Sequence, residues 1–303
     1  MLAGTEETLQ AESAGKVQKE MTAIETLLAG LIDYAGLYPP AGLDMRAAVH
    51  NYLGYQSGPH AFALGRFIVD IARADELREA AGDELSTIPL SVIAPPEIDS
   101  QGLSLLIGVG FRIESVEIKC AEPATIAELG RRLPGNIECY IEVPIHECMT
   151  AIFDVLAASH MRAKLRMGGV VPEAFPVAKS VAVILKELGN RNIAFKATAG
   201  LHHPIRSRHH LTYAPDSSTA VMHGFLNLAC AAALLHSGWS VDEAVDTIEE
   251  EDPSAWDATP DVIRCRNFAW SSAPLRDMRS FFTSFGSCSF TEPIGDLEVL
   301  GWL

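Results

Sequence analysis

The sequence predicts an α/β fold: a (β/α)8 TIM-like barrel with an N-terminal helical extension and irregular last units. Three observations predict it. Six short apolar segments recur at intervals of roughly 21 to 30 residues: RFIVDI (66–71), IPLSVIAP (88–95), SVEIKC (115–120), IECYIEVP (137–144), AKLRMGG (163–169) and IAFKATAG (193–200). Each is followed by a stretch with helical periodicity, the pattern of βα units around a parallel sheet. Six such units in a row, with no GxGxxG after the first strand, favour a barrel over a dinucleotide-binding sheet.

The elements follow in order. Residues 1–15 are polar and acidic and read as a disordered tail, leaving 16–303 as a single barrel domain. VQKEMTAIETLLAGLI (17–32) has a 3.6-residue apolar period and predicts a helix. DYAGLYPPAGLD (33–44) reads as a loop set by Pro39, Pro40 and its glycines, and MRAAVHNYLGY (45–55) as the next helix. The helices ADELREAAG, SQGLSLLIGVG, TIAELGRRL, CMTAIFDVLAAS and AFPVAKSVAVILKELG then alternate with the strands. After the sixth strand come a long loop and the helical STAVMHGFLNLACAAALLHSG (218–238). The last third is less regular. SVDEAVDTIEEED and PLRDMRSFFTSFG (274–286) predict helices, while DVIRCRNFAW and SCSFTEPI (287–294) are candidate strands.

Composition limits the partners. The 303 residues are 48% hydrophobic and 20% charged, an ordinary globular balance, with a net charge of −16. That charge argues against nucleic acid and against an anionic membrane surface, since both need a basic face. A small anionic substrate remains compatible, because a pocket can be locally positive. The six cysteines, Cys120, Cys139, Cys148, Cys230, Cys265 and Cys288, form no CxxC pair and read as reduced thiols. The start lacks a signal-peptide pattern and no apolar run reaches the roughly 18 residues of a membrane span, so a cytoplasmic location is expected. No cofactor is expected, and the apolar C-terminal LEVLGWL is a candidate contact for a homo-oligomer.

The strands carry charge where a parallel barrel strand should be apolar on both faces. Side chains alternate along a strand. Val116 and Ile118 share one face and Glu117 and Lys119 the other; Ile141 and Val143 oppose Tyr140 and Glu142. Leu165 sits between Lys164 and Arg166, and Asp70 is opposite Val69. Ile193 and Phe195 oppose Lys196 and Thr198. The consistent arrangement is apolar outward against the helices and charged inward near the C-terminal strand ends. The predicted ring is Asp70, Glu117, Lys119, Glu142, Arg166 and Lys196. Unpaired burial would cost several kcal/mol per group, so such charges must be paired, hydrated or used. An ion-pair network serving stability alone is the alternative to an active site.

Lys196 ends an apolar strand and is followed by the small residues Ala197, Thr198, Ala199 and Gly200. Desolvation there is expected to lower the lysine pKa and free its amine to attack a carbonyl. The FKATAG stretch resembles the Schiff-base strand of class I aldolases of the deoxyribose-phosphate aldolase type. The resemblance implies that Lys196 is the imine lysine and that Gly200 helps form an anion-binding turn. It also implies that a second lysine and an acid assist proton transfer, here Lys119 or Lys164 with Asp70 or Glu142. Over more of its length the chain is similar to a family of bacterial proteins sharing stretches like DYAGLYPPA, FKATAGLHHP, HGFLN and FGSCSFTEP. That likeness implies one shared site and names no reaction.

His202, His203, His209, His210 and His223 fall within about 20 residues but match no metal-binding motif, so no metal ligand is assigned. His202 is a candidate acid/base; His203 and His223 are candidates for lining the site. Gly168 and Gly169 follow a strand and precede a helix, where backbone N–H groups can cradle an anion beside Arg166. Cys288 is expected to be a small buried residue. Together these residues predict a barrel enzyme on a small anionic carbonyl metabolite, a lyase of aldolase type acting through a lysine imine. In that reading Lys196, Glu142, Asp70, Lys119 and His202 are catalytic. Arg166, Gly168, Gly169, Glu117, Thr198, Gly200, His203 and His223 bind substrate. The alternatives are a metal-dependent hydrolase or isomerase using the loop histidines, and a non-catalytic metabolite-binding barrel.

Overall fold

The computed structural model describes residues 21–145 and 149–303. The proposed tail at 1–15 and Cys148 lie outside the described residues. Eight parallel strands close into a barrel. Seven come in succession: β1 (Ile32–Tyr34), β2 (Leu64–Asp70), β3 (Pro89–Ala94), β4 (Arg112–Lys119), β5 (Glu138–Val143), β6 (Arg162–Arg166) and β7 (Phe195–Thr198). A long excursion follows. It holds a hairpin, β8 (Ser207–His210) with β9 (Thr219–Met222), and an antiparallel sheet of β10 (Trp256–Ala258), β11 (Val262–Cys265) and β12 (Phe268–Ser271). Then β13 (Phe282–Ser287) slots between β7 and β1 and closes the cylinder.

Two elements depart from the sequence expectation. β1 falls at the junction of a predicted helix and a predicted loop; it has only three residues, and the helix before it is the six-residue Ala23–Leu28. The closing strand is FTSFGS, not SCSFTEPI. Helix Ser272–Phe281 passes into β13 without an intervening turn, so FFTSFG looked like helix, while Thr291–Val299 is itself helical.

The strand alternation sorts side chains as their chemistry requires. Phe67, Val69, Val116, Ile118, Ile141, Val143, Leu165 and Phe195 are buried among the surrounding apolar groups. One apolar cluster runs from Ala23 to Leu297, and burying each Leu, Ile or Phe side chain in it contributes roughly 1.5–3 kcal/mol. Helix Phe225–His236 is apolar all round and buried up to Leu235 because other helices flank it, Ala178–Asn190, Val241–Ile248 and Ser272–Phe281. Asp44 and Asp99 start helices Met45–Gln56 and Ser100–Gly108 by accepting from the N–H of Ala47 and Gly102, both at 2.8 Å. No helix among the described residues is long and apolar enough to cross a membrane.

Candidate active site

The opposite face of the strands points down the barrel axis, and there the charges meet. Lys196 on β7 donates from Nζ to Asp33 Oδ2 on β1 at 2.6 Å and to Glu117 Oε1 on β4 at 2.5 Å. Neither β1 nor β4 is a neighbour of β7 in the barrel, so these bonds cross the interior. The other oxygen of Glu117 pairs with Lys164 on β6 at 2.7 Å, and Lys164 reaches Glu142 on β5 at 2.8 Å. Glu142 in turn meets Arg166 at 3.3 Å. The result is one chain of alternating sign: Asp33, Lys196, Glu117, Lys164, Glu142, Arg166. Hydroxyls complete its lower half. Ser284 donates to Asp33 Oδ2 at 2.8 Å, Ser91 donates to Glu117 Oε1 at 2.6 Å, and Ser115 donates to Ser91 at 2.7 Å. The Lys196 ammonium also lies 5.4 Å from the centre of the Tyr140 ring.

The chain runs from sealed to open. Asp33, Lys196 and Glu117 expose 1% or less of their side chains, Lys164 7%, Glu142 14% and Arg166 53%. Its upper half forms part of the wall of a cavity of about 420 Å3 at the C-terminal strand ends. Glu117, Lys119, Glu142, Lys164, Arg166 and Thr198 give it polar groups; Tyr38, Pro39, Pro40, Ile68 and Ile93 give it apolar ones. Gly169, Gly200, His202 and Cys288 also line it, and the β8–β9 hairpin adds Leu211 and Met222 from above.

Lys196 departs from expectation on both counts. It does not line the cavity, and its pKa rises rather than falls. Burial alone disfavours the ammonium, but Asp33 and Glu117 outweigh it and hold the proton. Glu117 shows the reciprocal effect. Burial pushes its carboxyl up, yet Lys164 and Lys196 hold it well below the usual carboxylate range. Glu142 is lowered in the same way, burial being overcome by Lys164 and Arg166.

Other expected site residues are placed elsewhere. Asp70 is outside the chain of charges and caps the short helix Ile71–Arg73 by accepting from Ala72 N–H at 2.8 Å. Gly168 is off the cavity wall. A Cβ there would sit 2.4 Å from the Phe175 ring, so close packing explains the glycine. Gly200, at φ +69°, has less than a Cβ's room against Phe175 and Gly168, and needs glycine for both reasons. His203 bonds Asp296 at 2.6 Å and stacks on His209. His223 is held between the Pro176 carbonyl and Arg206, and burial pushes it down to about 4. Of the histidines open to the hydrolase alternative, His202 and His203 have ring centres 6.4 Å apart, while His223 is bonded to Pro176 and Arg206. Among the described residues no group of three or more His, Cys, Asp or Glu is placed to hold a metal ion.

His202 does reach the cavity. Its Nδ1 bonds Glu292 Oε2 at 3.1 Å and lies 3.9 Å from Cys288 Sγ. Burial works against the imidazolium, but Cys288 and Glu292 outweigh it and push the pKa up to about 9. No bond to Nε2 is found among the described residues. A folded-state pKa above the unfolded value of roughly 6.5 means that this contact adds stability below pH 6.5 and loses it as pH rises through about 9. An NMR titration of His202 is expected to give a midpoint near 9 that falls in Glu292→Gln; a wild-type midpoint at or below 6.5 contradicts the assignment.

Sequence reasoning missed Asp33 and Glu292. Asp33 had a signal: in GLIDY an acid follows an apolar run, as Lys196 does in IAFK. Glu292 had none, since only the tertiary fold brings it to His202 across 90 positions. Comparison with protein-family models and with curated proteins finds no match.

Proposed function

We propose that the chain is a barrel enzyme acting on a small anionic carbonyl compound by imine chemistry, a lyase of aldolase type, with Lys164 as the amine that meets the substrate. One observation carries this reading. Lys164 is at the cavity wall and bonded to a carboxylate, Glu142, that lines the same cavity. Lys119 also lines it but is exposed and has no carboxylate partner among the described residues. Lys196 has the partners but no access.

The residues then take these roles. Glu142 takes a proton from the Lys164 ammonium and, its own carboxyl being acidic, passes it on to solvent at the cavity mouth, leaving a free amine. The amine nitrogen attacks the carbonyl carbon, the carbonyl π pair moves to oxygen, and after proton transfer the oxygen leaves as water. The resulting protonated imine is the electron sink: the bond from its α-carbon to the hydroxyl-bearing carbon breaks, and that hydroxyl loses its proton and leaves as the carbonyl of the released fragment. The bond's pair forms the C=C of an enamine while the C=N π pair goes to nitrogen, and protonation and hydrolysis of the enamine free the Lys164 amine. His202, with Nδ1 held by Glu292, moves a proton at the substrate oxygen through Nε2. Arg166 and Lys119 supply positive charge for the anionic group, Arg166 with a fork suited to a carboxylate or phosphate. Lys196 is a positioning residue. It fixes one oxygen of Glu117, so that the other faces Lys164.

Borohydride trapping tests this. The protein is incubated with a panel of small aldehydes and 2-oxo acids, reduced, and weighed intact by mass spectrometry. The expected result is one adduct per chain, of the carbonyl compound's mass less that of one oxygen atom (water lost on condensation, two hydrogens gained on reduction), only when reductant is present. The absence of an adduct across the panel sinks the imine.

A further inference from the structure

The strand N-termini enclose a second cavity of about 330 Å3 at the far end of the barrel. Four guanidinium groups line it: Arg66 from β2, Arg112 from β4, Arg162 from β6 and Arg279 from helix Ser272–Phe281. Two carboxylates answer three of them. Glu114 bridges Arg66 and Arg112 at 3.1 and 2.7 Å; Glu138 bridges Arg66 and Arg162 at 2.9 and 2.6 Å. Arg279 has no carboxylate partner among the described residues. It donates to the carbonyls of Phe282 and Ala29.

Asp33 also faces this cavity, but its oxygens are taken. Oδ2 accepts from Lys196 and Ser284, and Oδ1 accepts from Arg66 N–H at 2.7 Å. Four cations against three lining carboxylates, one of them Asp33 shared with Lys196, leave a local surplus of positive charge on a chain whose net charge is −16. Burial pushes the Arg279 guanidinium down to about 10, more than the Asp33 carboxylate raises it, and it is still ionised at neutral pH. A ring built only for stability would be expected to balance its charges, because uncompensated cations in a concave, partly desolvated site repel one another. Guanidinium forks also match tetrahedral oxyanions in geometry.

We propose that the N-terminal mouth of the barrel is a second ligand site, which binds a small dianion of the phosphate type through Arg279, Arg112 and Arg162. The site is separate from the C-terminal cavity and does not rest on the imine reading. Free phosphate and a phosphate monoester share this chemistry, and the titration separates them.

The test is thermal unfolding of the whole protein, titrated with inorganic phosphate and with glycerol phosphate against sodium chloride of matched ionic strength. A saturable rise of a few degrees is expected with phosphate and not with chloride. The rise is expected to lose most of its extent in Arg279→Gln and to weaken in Arg112→Gln, which removes a rim arginine and keeps the proposal testable if the Arg279 variant does not fold. It is expected to survive in Arg166→Gln, which alters only the upper cavity. A larger rise with glycerol phosphate than with phosphate assigns the site to esters, and the reverse to the free ion. The proposal is overturned if phosphate acts no more strongly than chloride. It is equally overturned if Arg166→Gln abolishes the effect while Arg279→Gln, or in its absence Arg112→Gln, leaves it intact.

Discussion

Lys196→Met is expected to lower the free energy of unfolding by about 3–5 kcal/mol, the usual cost of removing one partner from a buried ion pair. The ammonium has no exposed surface and joins two carboxylates that expose 1% each. Without it Asp33 keeps only Ser284 and one backbone N–H, and Glu117 must rely on Lys164 and Ser91. Urea denaturation with an unchanged m-value measures the loss. Asp33→Asn in the same background is expected to recover part of it, with a non-additivity of about 1–3 kcal/mol. The pH dependence has a fixed sign. The lowered Glu117 carboxyl stabilises the fold above its unfolded pKa of roughly 4.3 and loses that contribution as pH falls through the lower folded value. The raised Lys196 contributes fully below roughly pH 10.4 and loses it as pH rises through the higher folded value. Both limbs should flatten in the variant. A loss under about 1 kcal/mol contradicts the buried pairing.

Lys164→Met is expected to reduce turnover of a trapped carbonyl substrate by about 10⁴- to 10⁶-fold, the scale seen when one member of a catalytic unit is removed. Its effect on stability is expected to be smaller than that of Lys196→Met. Glu117 would keep Lys196 and Glu142 would keep Arg166, and Glu142 is already partly hydrated. Lys164→Arg separates the two roles. It retains the positive charge between Glu117 and Glu142 but cannot form an imine. It should therefore fold like the wild type while losing turnover to the same extent. If Lys164→Arg keeps more than about a tenth of the wild-type rate, the amine is not the nucleophile and Lys164 acts as a charge.

The fold was legible where strands were long enough to show alternation. SVEIKC and IECYIEVP each carry several apolar residues at period two, and both are barrel strands. β1 offers three residues, too few for a period, and β13 follows a helix with no glycine or proline between Phe281 and Phe282. The site was legible as a stripe, because a charge every second residue in a buried strand has no bland surface explanation. Depth was not legible. Lys164 and Lys196 are register partners on adjacent strands, and local sequence gives both the same apolar setting. What separates them is the company across the barrel. Asp33, 163 positions from Lys196, closes over one ammonium, while Glu142 leaves the other at the wall. The expected fall in the Lys196 pKa failed for the same reason: desolvation was foreseen, and the two carboxylates that overcome it were not.

The most direct measurement is peptide-level mapping of the borohydride-trapped adduct in the wild-type protein. The account predicts that the reduced carbonyl compound is carried on the peptide containing Lys164, with the Lys196 peptide unmodified while the protein is folded. An adduct on Lys196 instead would mean that the lower half of the ionic chain opens to substrate, contradicting the division into a sealed pair and a reactive one.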